Sequence, residues 1–310
     1  MRPIDVRKDL PAIVELIEVC FASQMDEDGK EYLRHLRRTA ESYRYLHWMP
    51  AGGEDTATPM NGYVWEEHGR VVGNLTLIPF MIRGRWRYLI ANVAVHPDFR
   101  QRGIGRRLTE RAIQHAKERT AASAWLQVRD DNPVAHNLYR QIGFHERVRR
   151  SLWLAKTPVD ERISKPALSV TPRRSTDWPQ QESWLKQSYP PEVTWNLPLR
   201  SDRFIPGFMQ GLFNWMNGED ISHWSARAAH GLAGVATLDR RARNSRHIWL
   251  AADPQQEDSA ILALLLHIRR ALPTSGLQVN YPAHHADLAF QYAGFERINT
   301  LIWMEYPLQP

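Results

Sequence analysis

Three stretches of the chain, Gly62–Glu67, Arg70–Phe80 and Arg85–His96, are crowded with β-branched and aromatic residues and separated by the turn signals His68-Gly69 and Arg83-Gly84. This pattern predicts an antiparallel meander. Helical spacing precedes it. Ile13, Val14, Leu16, Ile17 and Phe21 fall on one face of a helix over Asp9–Phe21, and Lys30–Trp48 reads as a second, more polar helix. After the meander, Leu108, Ala112, Ile113 and Ala116 line one face of a helix over Gly105–Lys117. Ala124–Arg129 then reads as a strand and Pro133–Ile142 as a helix. The expected order is strand, two helices, three strands, helix, strand, helix, strand.

The chain also repeats itself. Shifted by 151 residues, Leu126-Gln127-Val128 falls on Leu277-Gln278-Val279, Ala135 on Ala286, and Gly143-Phe144 on Gly294-Phe295, so six of 19 positions from 126 to 144 are identical. Unrelated sequence would give about one such match. His68-Gly69-Arg70 to Leu77 has a weaker echo in His230-Gly231-Leu232 to Leu238. Between the copies, Pro158–Gln181 holds four prolines, mixed charges and few large aliphatics, which reads as a connector. We therefore expect two domains, 1–157 and 168–310.

Composition narrows the partners. The 310 residues include 40 Lys+Arg and 34 Asp+Glu, and the split is uneven: 25 basic and 19 acidic residues up to Thr157, 15 of each afterwards. The whole +6 lies in the first half, so an anionic ligand is expected there. A single cysteine, Cys20, excludes an internal disulfide framework and Cys-based zinc sites, and favours a reducing compartment. The longest apolar run, Ala260–Leu266, is far shorter than the ~20 residues that span a bilayer, and the N-terminus is charged; a cytoplasmic protein without a membrane partner is the expectation. His284-His285 comes without metal-ligand spacing, so no metal is expected. Arg147-Val148-Arg149-Arg150 reads as a solvated strand face, with no nucleic-acid motif beside it.

The chemistry concentrates in one loop. Asn92-Val93-Ala94-Val95-His96-Pro97-Asp98-Phe99-Arg100-Gln101-Arg102-Gly103-Ile104-Gly105-Arg106 joins a strand to an amphipathic helix. Gly103 and Gly105 allow close backbone approach, the helix start offers N–H donors, and Arg100, Arg102 and Arg106 bring countercharge, a combination suited to pyrophosphate. An ordinary strand-to-helix turn with solvated arginines has the same pattern. Asn132-Pro133 looks like a helix N-cap and first turn. Tyr139 extends the apolar stripe of Val134, Ala135, Leu138 and Ile142.

Taken together, these residues resemble the GCN5-related N-acetyltransferase (GNAT) superfamily. Arg100, Gly103 and Gly105 fill its [Gln/Arg]-x-x-Gly-x-[Gly/Ala] motif, and Asn132, Ala135, Leu138, Tyr139, Gly143 and Phe144 fill its Asn-x-x-Ala-x-x-Leu-Tyr-x-x-x-Gly-Phe signature. The resemblance covers residues 2 to about 155. It implies an α+β fold of tandem domains, each a mostly antiparallel mixed sheet flanked by helices. It also implies acetyl-CoA as co-substrate, with the loop from Arg100 through Gln101, Arg102, Gly103, Ile104 and Gly105 to Arg106 on the pyrophosphate. The backbone of Val93, Ala94 and Val95 would lie along the pantetheine arm, with the Val95 amide facing the thioester carbonyl. Asn132 would contact the cofactor, and Tyr139 would protonate the leaving thiolate.

The second copy departs from that pattern. Position 139 becomes Phe290 and position 132 becomes Ala283. The phosphate loop becomes Ala251-Ala252-Asp253-Pro254-Gln255-Gln256-Glu257, about four residues shorter and without glycine or arginine. A degenerate copy is expected, retained for packing, for shaping the acceptor site or for another ligand. The expected base is also missing from Tyr88–Asn92, which leaves Glu66, Glu67, His96 or a water chain; Asp26, Glu27 and Asp28 would border the acceptor site. The function expected is acetyl transfer to a primary amine on a small molecule or peptide, by direct attack. The competing reading is a non-catalytic, CoA-responsive binding or regulatory protein.

Overall fold

A meander with helices before and after it can bury both faces of its sheet, and the structure does so. The computed structural model describes residues 1–21, 33–39, 61–159, 167–207, 216, 220–239, 246–272 and 276–308. Two compact units emerge: Met1–Arg147 with Ile302–Pro310, and Val148–Leu301.

In the first unit, a short strand β1 (Arg2–Pro3) leads to α1 (Val6–Phe21) and to a helix described over 33–39 (α2). The meander follows as β2 (Gly62–Glu67), β3 (Arg70–Ile82) and β4 (Arg85–Val95). Then come α3 (Ile104–Glu118), β5 (Ser123–Arg129) and α4 (Pro133–Ile142). The β1-β2-β3-β4 pairings are antiparallel and β4-β5 is parallel. Alternation along a strand sends adjacent residues to opposite faces. Thus Tyr63 joins Leu75, Leu108, Ala112, Leu126 and Phe144 on the α3/α4 side, while Val64 joins Leu10, Ile13, Ile17 and Leu36 on the α1/α2 side. The predicted helix over Lys30–Trp48 is seen only at 33–39, and Asp26, Glu27 and Asp28 lie outside the described residues.

From its meander onward, the second unit has the same order of elements as the first. Strand β7 (Ser169–Pro172) and helix α5 (Trp178–Ser188) precede β8 (Ile221–Ala228), β9 (Gly231–Asp239) and β10 (Arg246–Ala252). Helix α6 (Glu257–Ala271), β11 (Leu277–Pro282) and α7 (Asp287–Tyr292) complete it. Again one pair, β10-β11, is parallel, while β7-β8, β8-β9 and β9-β10 are antiparallel. Ile261, Leu264, Leu265 and Ile268 of α6 are buried in its core, and Phe290 stacks on Trp153 at 4.8 Å.

The compact units differ from the expected division at 157/168. Strand β6 (His145–Ala155) passes into the second unit at Val148, where Arg150–Leu154 pair antiparallel with β11. The end of β12 (Phe295–Pro307) belongs to the first unit, where Ile302 and Met304 are core residues and Tyr306 packs on Phe144 at 5.5 Å. Leu152-Trp153-Leu154 and Ile302-Trp303-Met304 are equivalent in hydrophobic pattern, so pattern alone does not say which core each strand joins. Met304 is fully buried; Met304→Ala should cost the first unit about 2–5 kcal/mol. Hydrogen exchange will show this as faster exchange of β5 and α4 amides.

Candidate active site

Strand β4 is bent near its end. Its register against β3 shifts between Asn74 and Thr76, and Asn92 adopts φ +51°, a left-handed conformation unusual for a residue with a side chain. Two side chains hold the bulge. The Asn74 amide, fully buried, donates to the Asn92 carbonyl at 3.1 Å, and the Asn92 amide donates to Thr76 Oγ1 at 3.3 Å. The β4-β5 ladder pairs Arg87–Ile90 with Ser123–Leu126 and goes no further. Beyond it, Val93–Val95 line one wall of a cavity of about 700 Å³.

The N–H of His96 bonds back to Val72 O. Because backbone N–H groups alternate sides along a strand, the Val95 N–H points away from β3. Its carbonyl shares that edge, accepting from Arg100 Nε at 3.2 Å and from the Cys20 thiol at 3.3 Å. The chain then makes a short 3-10 turn, Pro97–Phe99, and enters α3 through Gly103 at φ +77°. The first backbone bond of α3 is Arg107 N–H to Gly103 O, so the N–H groups of Ile104, Gly105 and Arg106 precede it without acceptors among the described residues. No acidic residue occupies that first turn, and the positive end of the helix dipole meets the cavity alongside Arg100 and Arg106. A Cβ built on Gly105 would meet nothing closer than Leu138 at 3.7 Å and Val95 at 3.8 Å, so the protein itself leaves room there.

Opposite stands α4. Asn132 caps it, accepting from Ala135 N–H at 3.1 Å, with Pro133 in the first turn and Gly143 closing the helix at φ +112°. The capping reading of Asn132 is therefore correct, and Asn132 lines the cavity as well. Tyr139, two turns on, is 7% exposed and belongs to both the core and the cavity wall. Its hydroxyl has no partner among the described residues. Burial pushes the phenol well above its ordinary pKa of 10.0, so it stays protonated.

Val93, Ala94, Val95, Arg100, Gln101, Gly103, Ile104, Gly105, Arg106, Asn132 and Tyr139 thus line one cavity. Arg102 does not. Its guanidinium lies over the Phe99 ring and 3.8 Å from Glu67. None of the candidate bases lines it either. Glu66 is held by Arg2 at 2.8 Å, a hydrogen-bonded pairing that lowers its pKa. Glu67 accepts from Trp65 Nε1, and His96 bonds Arg70. Sequence reasoning missed Cys20 and Phe21, which complete the wall from the end of α1; neither has a motif, and Cys20 registered only as a count of one. Among the described residues no His/Cys/Asp/Glu cluster suits a metal ion.

The corresponding place in the second unit is built differently. Only four residues, 253–256, separate β10 from α6, against eight, 96–103, between β4 and α3. Glu257 and Asp258 fill the first turn of α6. Glu257 accepts from Tyr281 Oη at 2.8 Å and pairs with His285 Nδ1 at 3.0 Å.

The comparisons with known proteins follow this geometry. A model of the Acetyltransferase (GNAT) family matches residues 18–144. The [Ribosomal protein bS18]-alanine N-acetyltransferase of Salmonella typhimurium is 46% identical over 55 residues, 18% of this chain and 37% of that protein. N-alpha-acetyltransferase RimI of Mycobacterium tuberculosis is 33% identical over 99 residues, 31% of this chain and 61% of that protein. The chain thus spans less than two thirds of the length of these relatives. A crystal structure of a GCN5-related N-acetyltransferase from Sphaerobacter thermophilus shares the fold, with a TM-score of 0.56 at 16% identity over 99% of this chain and 96% of that one.

The cap is separable from any ligand contact. Asn132→Ala should cost about 1 kcal/mol, and Asn132→Ser should keep most of the stability because its hydroxyl still accepts from the helix; thermal denaturation of both variants checks this.

Proposed function

We propose that the first unit, whose residues 18–144 match a model of the Acetyltransferase (GNAT) family, binds acetyl-CoA in the cavity between β4 and α4 and transfers its acetyl group to an amine. One observation carries this reading: the residues at the start of α3, whose N–H groups have no acceptor among the described residues, and Tyr139, whose hydroxyl has no partner among them, line the same cavity. The pyrophosphate would take the α3 donors with Arg100 and Arg106 beside them. The Val95 N–H, on the diverging edge of β4, would hold the carbonyl oxygen as negative charge develops on it.

The neutral acceptor amine attacks that carbonyl carbon, the carbon–sulfur bond breaks, the thiolate takes the Tyr139 proton, and the proton shed by the nitrogen passes to solvent water, from which the Tyr139 phenolate regains its own. Burial keeps the phenol protonated and so available as a donor, while the same shift makes it a weaker acid than a free phenol. The acceptor we propose is a primary amine, with peptide α-amines first because the relatives are named for protein N-acetylation. The second unit we read as a degenerate copy: Glu257 and Asp258 put negative charge in the first turn of α6, which disfavours a phosphate there, and Phe290 keeps the ring of Tyr139 without its hydroxyl. We place the protein in the cytoplasm, where its lone thiol would stay reduced; no helix among the described residues is long and apolar enough to cross a membrane.

A second reading draws on one observation, that none of Glu66, Glu67 and His96 lines the cavity. A CoA-responsive binding protein would need no base. Acetylation assays with a panel of peptide and small-molecule amines separate the two readings. We expect turnover with at least one amine, and Tyr139→Phe should bind acetyl-CoA as the wild type does while losing about 10²-fold or more in kcat. Because the phenol is shifted upward, kcat should show no alkaline decline from its ionisation below about pH 10. Unchanged kcat in Tyr139→Phe would remove it from the acid role, and no turnover with any amine would favour the binding protein.

A further inference from the structure

We propose that Cys20 is a covalent modification site, at which a disulfide of coenzyme A exchanges to leave CoA attached to the protein and the cavity blocked. The proposal rests on the reading that CoA binds in this cavity. Cys20 is the chain's single cysteine and sits one residue before the end of α1. Its half-buried thiol lines the cavity and donates to Val95 O at 3.3 Å. In an extended strand the N–H and C=O of one residue leave by the same edge. The sulfur therefore stands on the edge where the Val95 N–H, assigned above to the thioester carbonyl, is exposed to ligand.

Two further groups of this cavity suit a sulfur-bearing ligand. Tyr139, more than nine-tenths buried, lines the cavity, and its hydroxyl has no partner among the described residues. The Arg100 guanidinium shares the Val95 carbonyl with Cys20 and brings a permanent cation to the thiol. Burial raises the Cys20 thiol and Arg100 opposes that rise, so exchange should be slow at neutral pH and accelerate as pH increases.

The chemistry closes without another reactant. Cys20 gives up its proton and its sulfur attacks one sulfur of the CoA disulfide. A new sulfur–sulfur bond forms, the original one breaks, and the departing CoA thiolate takes up a proton. No net oxidation occurs beyond the transfer of the disulfide. A thiol reductant reverses the step.

The test uses the full chain and CoA disulfide, read by intact-protein mass spectrometry. We expect one CoA per chain, removed by dithiothreitol and absent in Cys20→Ser. Acetyl-CoA at ten times its Kd should slow the adduct about tenfold, and Gly105→Glu, which obstructs the phosphate subsite while leaving the thiol in place, should slow it likewise. A wild-type protein that binds acetyl-CoA yet gains no adduct overturns the proposal and leaves the cofactor reading standing. Equal adduct rates in wild type and Gly105→Glu also overturn it, because the cavity then does not guide the exchange. Failure of the wild type to bind acetyl-CoA at all overturns the cofactor reading, and this inference with it.

Discussion

A helix begins with backbone N–H groups that its own carbonyls cannot reach, and something must accept from them. In α3 nothing among the described residues does so: the Gly103 cap has no side chain, and the first turn carries no carboxylate. An anion at that point gains oriented donors and the helix dipole at no cost of reorganisation. The features around it follow from keeping this end open. Gly103 turns the chain into the helix with a left-handed φ, Gly105 leaves a gap where a side chain would stand, and the eight-residue loop before them holds Arg100 at the rim. The bulge at Asn92, secured by the Asn74 amide, follows the last β4-β5 pair at Ile90 and precedes Val93–Val95 on the cavity wall.

The second unit shows what happens when the same ends are closed. Its loop between strand and helix is half as long, and Glu257 and Asp258 complement the dipole from within the chain. Tyr281 and His285 then bind the Glu257 carboxylate, turning the spot into a polar cluster satisfied by the protein itself. Phe290, fully buried against Trp153, preserves packing with no polar atom to offer. Two units of similar element order thus differ at a helix start and in one hydroxyl.

Much of the first unit was legible in the sequence because its elements are strongly periodic and its caps are local. Pro133–Ile142 was bounded by Asn-Pro on one side and Gly on the other, and the structure gives those bounds. The exchange of final strands was not legible, since β6 and the end of β12 have the same apolar pattern and only tertiary pairing decides their core. Arg102 was grouped with Arg100 and Arg106 by proximity in sequence, yet its place in the loop sends it toward Phe99 and Glu67. Cys20 escaped notice for the opposite reason: more than seventy residues separate it from Val95, and only the packing of α1 on the sheet brings them together.

The central claim is that one chain has one acetyl-CoA site, made by the open start of α3. Calorimetric titration of acetyl-CoA into the wild type and into Gly105→Glu, with folding of the variant verified by circular dichroism, tests it most directly. The account predicts one site per chain in the wild type and none in the variant. Two sites per chain, or equal affinity in both proteins, would contradict it.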